Sequence, residues 1–536
     1  MGKILQVNDP TGTYAFAYDN MGRLIGTTTT YSFLPNTPYT NSYSYDADSN
    51  RTGFTAPDGS TNTYTYDTLN RLSTLANSWA GSFGYTYDAL SRRTQMTRPN
   101  GVATNYQYDT LSRLLSVLHQ AGTSTIDGDA YTLDAAGNRT AKTDYLAGVT
   151  SNYTYDKIYE LTQVTQGTNT TESYSYDPVG NRLSSLGVAS YSYNNSNELT
   201  SSSQGGYTYD ANGNTLTDAS GKSYAWDFEN RLTQVTLPNS GGTVTFKYDP
   251  FGRRIQKVYT TGANPPTTTT TNYLYDGDNE IEQVDQNGNA LSRFAQGQNV
   301  DELLAESIGG ATYDYEQDGI GSVTSLTSGA GALSLTYTYD SFGKITGSQG
   351  SVSNAFRYTG RDFDTETGLH YYRARYYEPT AGRFLSEDPL EFGGEMNFYR
   401  YVENNPVLLI DPFGLSSLTF NRQNGTLTLL DKDGNVVIVC DAGNNTTKNS
   451  KGPWPNGTYP YSWHNNHPSD PNGPYGSHGI FIFKVPGRSG MGVHSGRANS
   501  GGPKHPTLGC VRTTDNCMQQ ISNFVGTDPL KTITIQ

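Results

Sequence analysis

The chain has 536 residues, with 50 Asp and Glu against 36 Lys and Arg and only 34% apolar residues. Its 42 Tyr and 58 Gly, with long Thr and Ser runs, point to many short strands and turns and exclude a helical bundle. So much aromatic surface also excludes a disordered chain. No apolar run approaches the roughly 18 residues of a membrane span, and the N-terminus has no signal-peptide core. We therefore expect a specialised secretion route without an N-terminal signal peptide, and no membrane insertion of its own.

Internal repetition governs the first part of the chain. Tyr-Asp recurs at Tyr45-Asp46, Tyr66-Asp67, Tyr87-Asp88 and Tyr108-Asp109 with a period of 21. It returns at Tyr155-Asp156, Tyr176-Asp177, Tyr209-Asp210 and Tyr248-Asp249, with Trp226-Asp227 as a variant. An Arg-bearing element follows each pair, as in Asn70-Arg71-Leu72 and Ser112-Arg113-Leu114, and alternation precedes it, as in Tyr64-Thr-Tyr66. Alternation, a turn and a second short alternating segment describe a hairpin. One such unit cannot bury its own face, so units must stack side by side. The Tyr, Asp and Arg of the motif are accordingly expected to be structural. These residues resemble the YD repeats of the Rhs family, related to those of teneurins and of insecticidal toxin-complex subunits. The resemblance implies a hollow β-shell over residues 1–350 that encloses the C-terminal segment.

Repetition stops near residue 351. Tyr and Arg peak in Gly368-Leu-His-Tyr-Tyr-Arg-Ala-Arg-Tyr-Tyr377, and the segment ends in Asp411-Pro-Phe-Gly-Leu415. Two Asp-Pro pairs, at Asp388 and Asp411, bracket it. Each can simply open a turn, but paired carboxylates that share a proton can also activate water against a peptide bond. Residues 351–415 resemble the Rhs-associated core. That resemblance implies closure of the shell and self-cleavage between Leu415 and Ser416, with Asp388 and Asp411 as the dyad.

Composition changes at once after Leu415. Residues 1–415 carry 26 Lys and Arg against 44 Asp and Glu, a net of −18, whereas residues 416–536 carry 10 against 6, a net of +4. All three Cys and five of the seven His lie in these last 121 residues. A charge of +4 is too small to argue for nucleic acid. Leu418-Thr-Phe420 and Thr426–Leu430 flank an Asn-Gly turn and predict a hairpin. Further strands are expected at 436–440, 479–485 and 531–536, a helix at 515–524, and loop throughout 442–478. The fold class expected for the whole chain is thus mainly β, a large spiralling repeat shell around a small mainly-β domain at 416–536.

The chemistry-bearing stretch runs from Gly490 to Arg512. Cys510 follows Gly509 in a segment too rich in Pro and Gly to be core, with Arg512 two residues on. A nearby cation lowers a thiol pKa and can grip a carboxylate. His494 follows the strand-like Met491-Gly-Val493 and supplies a base, and the backbone around Gly509 can hold an oxyanion. Gly487-Arg-Ser-Gly-Met-Gly-Val-His494-Ser-Gly with Thr507-Leu-Gly-Cys510-Val-Arg512 resembles the signature of L,D-transpeptidases. Gly452-Pro-Trp-Pro-Asn-Gly457-Thr-Tyr459 is similar to an approach segment of effector-type relatives that attack the cell wall. Leu508 stands where a second His is usual, which bears on substrate binding and rate.

The resemblance implies that Cys510 attacks a peptidoglycan stem peptide. His494 would act as base, Ser495 would orient it, Gly509 would help hold the oxyanion, and Arg512, Tyr459 and His505 would bind substrate. No cofactor or metal is required. The implied partners are peptidoglycan stem peptides in the target-cell periplasm, a cognate periplasmic immunity protein and a secretion-apparatus or adaptor protein. Three rivals stand beside this reading. They are a His-dependent metal nuclease using the loop residues His464, His467 and His478, a non-enzymatic cell-wall adhesion module, and a wall-associated scaffold with a degenerate enzyme.

Overall fold

In a computed structural model, residues 3–34, 37–389 and 397–414 are described in full, and from residue 417 onward the backbone of eight strands. The chain divides into two compact units, Met1–Glu387 with Asn404–Pro412, and Asp388–Glu403 with Phe413–Gln536.

The first unit is built from the Tyr-Asp motif outward. In the repeat at Asp67, one carboxylate oxygen accepts the backbone N–H groups of Leu69 at 2.9 Å and Arg71 at 3.0 Å. The other accepts Arg71 Nε at 2.7 Å. The side chain thus closes its own turn, leaving Asn70 at φ 58°. Arg71 also reaches the next repeat, donating to the carbonyl of Asp88 at 3.2 Å and lying 4.7 Å over the Tyr87 ring. Tyr87 donates back to the carbonyl of Leu72 at 2.8 Å. The same cycle recurs one repeat later through Asp88, Arg92, Asp109 and Tyr108. Each Tyr-Asp step carries a β-bulge, between Thr65 and Tyr66, Thr86 and Tyr87, and Gln107 and Tyr108, which strengthens local twist. Where the fourth residue is Asn, as at Asn50, it bonds Asp46 at 2.9 Å and Asn70 of the next turn at 3.0 Å.

Stacking these hairpins gives a 17-stranded antiparallel sheet from Gln6–Asp9 to Arg182–Ser185 and a 14-stranded sheet from Thr208–Tyr209 to Ile345–Gly350, with a 3-stranded sheet between them in sequence. The two large sheets are stitched together over long chain distances. Tyr31 donates to the carbonyl of Tyr273 at 2.8 Å, Arg98 to that of Tyr315 at 2.7 Å, and Ser325 to Asp127 at 2.7 Å. Their shared core mixes Tyr14, Tyr31, Phe54 and Phe83 with Leu75, Leu274 and Leu304. Tyrosine replaces the scarce aliphatics because its ring buries like Phe while its hydroxyl finds a carbonyl.

A four-stranded sheet follows, Asp362–Asp364, Leu369–Tyr372, Arg375–Glu378 and Arg383–Phe384. It packs Tyr371 and Tyr376 against Tyr224, Leu232, Phe246 and Tyr248 of the 14-stranded sheet. The fully buried Arg254 fastens it, bonding Asp364 at 2.6 Å and also Asp362, with its guanidinium 4.8 Å over Tyr273 and 4.6 Å over Tyr371. Lys257 adds a second cation 3.0 Å from Asp364. Burial pushes the Asp362 carboxyl up despite Arg254, whereas Arg254 and Lys257 together overcome burial at Asp364 and hold it low. Residues 404–412 return to this unit. Asn404 donates to Glu160 at 2.9 Å, and Val407 joins a cluster with Tyr153, Leu161 and Phe342.

The second unit contains a closed barrel in the order Ser417–Asn421, Thr426–Leu430, Val436–Gly443, Val511–Thr513, Gly492–His494, Ile480–Phe483, Gly457–Asn465 and Thr532–Ile535. The expected hairpin is present, pairing Phe420 with Leu427. One expectation is corrected. Residues 442–478 are not loop throughout, because Gly457–Asn465 forms a strand within them. Its Tyr459-Pro-Tyr461-Ser-Trp463 alternation outweighs Pro460, whose fixed φ suits an extended chain. The helix expected at 515–524 lies outside the described residues. Among those described, the helical turns are two short 3-10 segments, Tyr358–Gly360 and Val402–Asn404, and no helix is long and apolar enough to cross a membrane.

Removing Arg254 while leaving two buried carboxylates should be severe. Arg254→Ala is expected to lower the stability of the first unit by about 3–5 kcal/mol, read as a shifted denaturant midpoint.

Stability should also have an unusual pH profile. Asp67 and Asp88 lie below the usual carboxylate range because hydrogen bonds from Arg71 and Arg92 outweigh burial. Their contribution is present above the unfolded value and is lost as pH falls through the folded one. Burial pushes Glu306 and Glu316 up to about 8 and Asp314 to about 7. Unfolding lets these acids ionise above roughly pH 4.3, so their contribution declines from there to about pH 8. Thermal melts should therefore show maximal stability near pH ~5, and Glu306→Gln with Glu316→Gln should flatten the fall toward pH 8.

Candidate active site

The barrel strands sort their residues by face, since directly paired positions share a side of a sheet and successive residues alternate. One face carries Leu418, Phe420, Leu427, Leu429 and Ile533, and the other Thr419, Thr426, Thr428 and Thr534. His494 pairs in parallel with Arg512, Arg512 pairs with Gly443, and on the other side His494 pairs with Ile480 and Ile480 with Asn465. These positions form one row across four strand steps. Asp441, two residues before Gly443, pairs with Thr426. The row therefore lies on the threonine face.

The base expected at His494 is the last residue of its strand, and its neighbour is the strand that begins one residue after Cys510. The structure thus brings His494 and Arg512 together at one register position. Tyr459 pairs with Ile533 and falls on the leucine face. Cys440 pairs with Leu427 and does likewise. His464 pairs with Phe481, which pairs with Val493, so His464 and His494 occupy opposite faces. Gly509, Cys510, Ser495, His505, His467 and His478 lie outside the described residues, as do Leu415 and Ser416.

Local pattern did not reveal a register shift between Tyr461 and Trp463. This bulge switches the strand's parity, setting Trp463 and Asn465 on the face of His494, and bulges of this kind re-aim side chains beside sites. Asp441 was also missed. Its only sequence signal is the one-residue alternation Asp441-Ala-Gly443 at the end of an apolar strand.

At the proposed cleavage junction, Asp411 belongs to the first unit and Asp388 to the second, where Asp388 is buried. Arg375, itself buried, places Nη2 3.4 Å from Asp411 Oδ2, and Arg373 donates to the carbonyl of Pro412. The Tyr-Arg-Ala-Arg run, legible as an Arg-rich peak, therefore grips the Asp411-Pro pair. Gly414 of the same motif has φ 67°, a backbone region glycine enters without Cβ strain.

Residues 145–407 match a family model described as Teneurin YD-shell. The chain is 34% identical over 426 residues to the tRNA3(Ser)-specific nuclease WapA of Bacillus spizizenii, covering 76% of this chain and 16% of that protein. It is 34% identical over 122 residues to the toxin protein Tse5 of Pseudomonas aeruginosa, covering 23% of this chain and 9% of that one. The chain thus spans less than a fifth of either relative. Among solved structures, the TcdB2-TccC3-Cdc42 crystal structure superposes with a TM-score of 0.67 at 21% identity, over 77% of this chain and 24% of that one. The large sheets of the first unit are accordingly a YD-shell.

Proposed function

We propose that this chain is a secreted antibacterial toxin. Its YD-shell carries a cysteine acyl-transfer enzyme at 416–536, which is released by self-cleavage after Leu415 and acts on peptidoglycan stem peptides in the target periplasm. The observation that carries the enzymatic reading is the register of His494 with Arg512 on the strand that directly follows Cys510. That register sets a base and a cation beside the start of the Cys510 strand, which a thiol nucleophile needs. His494, oriented by Ser495, takes the thiol proton. Cys510 sulfur then attacks the stem carbonyl, and backbone N–H groups at Gly509 and Cys510 hold the oxyanion. The amine leaves with a proton from His494, and the acyl group passes to water or to a D-amino acid. Arg512, Tyr459 and His505 bind substrate. A periplasmic immunity protein and a secretion-apparatus or adaptor protein complete the system, as the likeness to toxin relatives supports.

A nuclease cargo is the second reading, favoured by the likeness to a tRNA nuclease. Against it, His464 and His494 fall on opposite faces and so do not share one ion from a common side. Mass spectrometry of peptidoglycan fragments after directing residues 416–536 to the periplasm tests the choice. Shortened or D-amino-acid-exchanged stems are expected with the natural sequence and none with Cys510→Ala. Toxicity with unchanged fragments would sink the cell-wall reading.

For release, Asp411, held by Arg375, and Asp388 activate water against the bond between Leu415 and Ser416. Asp411→Asn and Asp388→Asn are each expected to leave a single full-length band on a denaturing gel, where the natural chain gives two fragments. Cleavage that persists in both variants would remove the carboxylates from the mechanism.

A further inference from the structure

The eight described barrel strands contain one carboxylate, Asp441, and one guanidinium, Arg512. They lie on neighbouring strands and on the same face, the one that carries His494. Arg512 pairs with Gly443, and Asp441 stands two residues from Gly443 along that strand, so Asp441 and Arg512 are diagonal neighbours. Such positions are about 7–8 Å apart, within reach of long side chains. His494 is the directly paired neighbour of Arg512 on the other side. The order across the sheet is therefore acid, guanidinium, imidazole, and these are the charged or titratable residues of that face among the described strands.

We propose that Asp441 is a positioning residue that balances the charge of Arg512 and so keeps His494 basic enough to take the thiol proton. The proposal rests on the reading of Cys510 and His494 as the reacting pair. An unbalanced cation beside an imidazole disfavours its protonated form, and it also stabilises a nearby thiolate. Arg512 alone would thus leave a more acidic thiol and a weaker base. With Asp441 close by, Arg512 keeps its hydrogen-bonding reach toward a substrate carboxylate while its field at His494 is reduced. A unit charge roughly 8–10 Å away in a partly solvated setting moves a pKa by about half a unit to one unit.

The test needs no substrate. In the full chain, the rate of iodoacetamide alkylation of Cys510 is followed against pH by peptide-resolved mass spectrometry, in the natural sequence, Asp441→Asn and Asp441→Glu. The midpoint for Cys510 is expected to fall by about half a unit to one unit in Asp441→Asn and to return in Asp441→Glu. With stem peptides, Asp441→Asn should lower kcat and leave KM within about twofold. An unmoved midpoint in Asp441→Asn overturns the proposal, as does a midpoint that moves equally far in Asp441→Glu, which would trace the effect to packing. If Cys510→Ala left stem-peptide products intact, the substrate reading would fail, whereas the alkylation profile would still decide the role of Asp441.

Discussion

Everything in the first unit depends on one carboxylate that does two jobs. Asp67 closes its own turn through backbone N–H groups and, through its second oxygen, aims Arg71 at the next turn. A local interaction becomes a propagating one because the guanidinium is a rigid planar fork with donors left over after its carboxylate is satisfied. The Tyr of the following repeat then answers with a ring under the cation and a hydroxyl on the preceding strand. Individually, a half-exposed ion pair of this kind contributes little. Repeated from turn to turn with geometry fixed at both ends, it specifies which hairpin neighbours which, a choice that a long sheet of similar strands otherwise leaves open to slippage.

The scarcity of aliphatic residues sets the second constraint. A core of Tyr, Phe and scattered Leu leaves polar groups inside, and the molecule handles them in two ways. Hydroxyls and amides are sent to carbonyls of the opposing sheet, as Tyr31 and Arg98 show. Acids without a cation close by, such as Glu306 beside the Tyr315 hydroxyl, are raised by burial toward the neutral form. Arg254 is the exception that fixes topology. A guanidinium buried among aromatic rings is tolerable only because Asp362 and Asp364 arrive from over a hundred residues later. The closing sheet is therefore bound by a charge requirement as well as by apolar burial.

These physical differences explain what the sequence made legible. The period of the Tyr-Asp motif, its Arg and the alternation before it are local, so hairpins and their stacking follow from pattern alone. So does the hairpin from Ser417–Asn421 to Thr426–Leu430. The Arg254 cluster is not local, and nothing near residue 254 distinguishes that Arg from Arg253, which serves an ordinary repeat turn. Arg182 makes the same point. It stands beside Asn181 in what reads as another motif Arg, yet Asn181 takes the turn position and Arg182 lies buried 4.1 Å over Phe342. In the barrel, Pro460 concealed a strand, and the bulge after Tyr461 concealed which face Trp463 and Asn465 occupy. The pairing of His494 was implicit only in that each of its flanks is apolar. Parallel register with residue 512 is a tertiary fact that spacing does not encode.

The faces of the barrel bear on which chemistry the domain can host. Its leucine face collects Cys440, Tyr459 and His464 with the aliphatic residues, while its threonine face collects Asp441, His494 and Arg512. A metal centre built on the strands would need its imidazoles on one side, and the two strand histidines are divided. An acyl-transfer centre needs one imidazole, one cation and a nucleophile at a strand end, and the divided arrangement supplies the first two beside the point where Cys510 leads into its strand. The polar face also suits an extended peptide substrate, because threonine hydroxyls and a mixed-charge row can satisfy its backbone and termini without demanding burial of unpaired charge. Separation of the histidines and convergence of His494 with Arg512 follow from the same register, so a single set of strand pairings favours thiol chemistry and disfavours a strand-borne metal site.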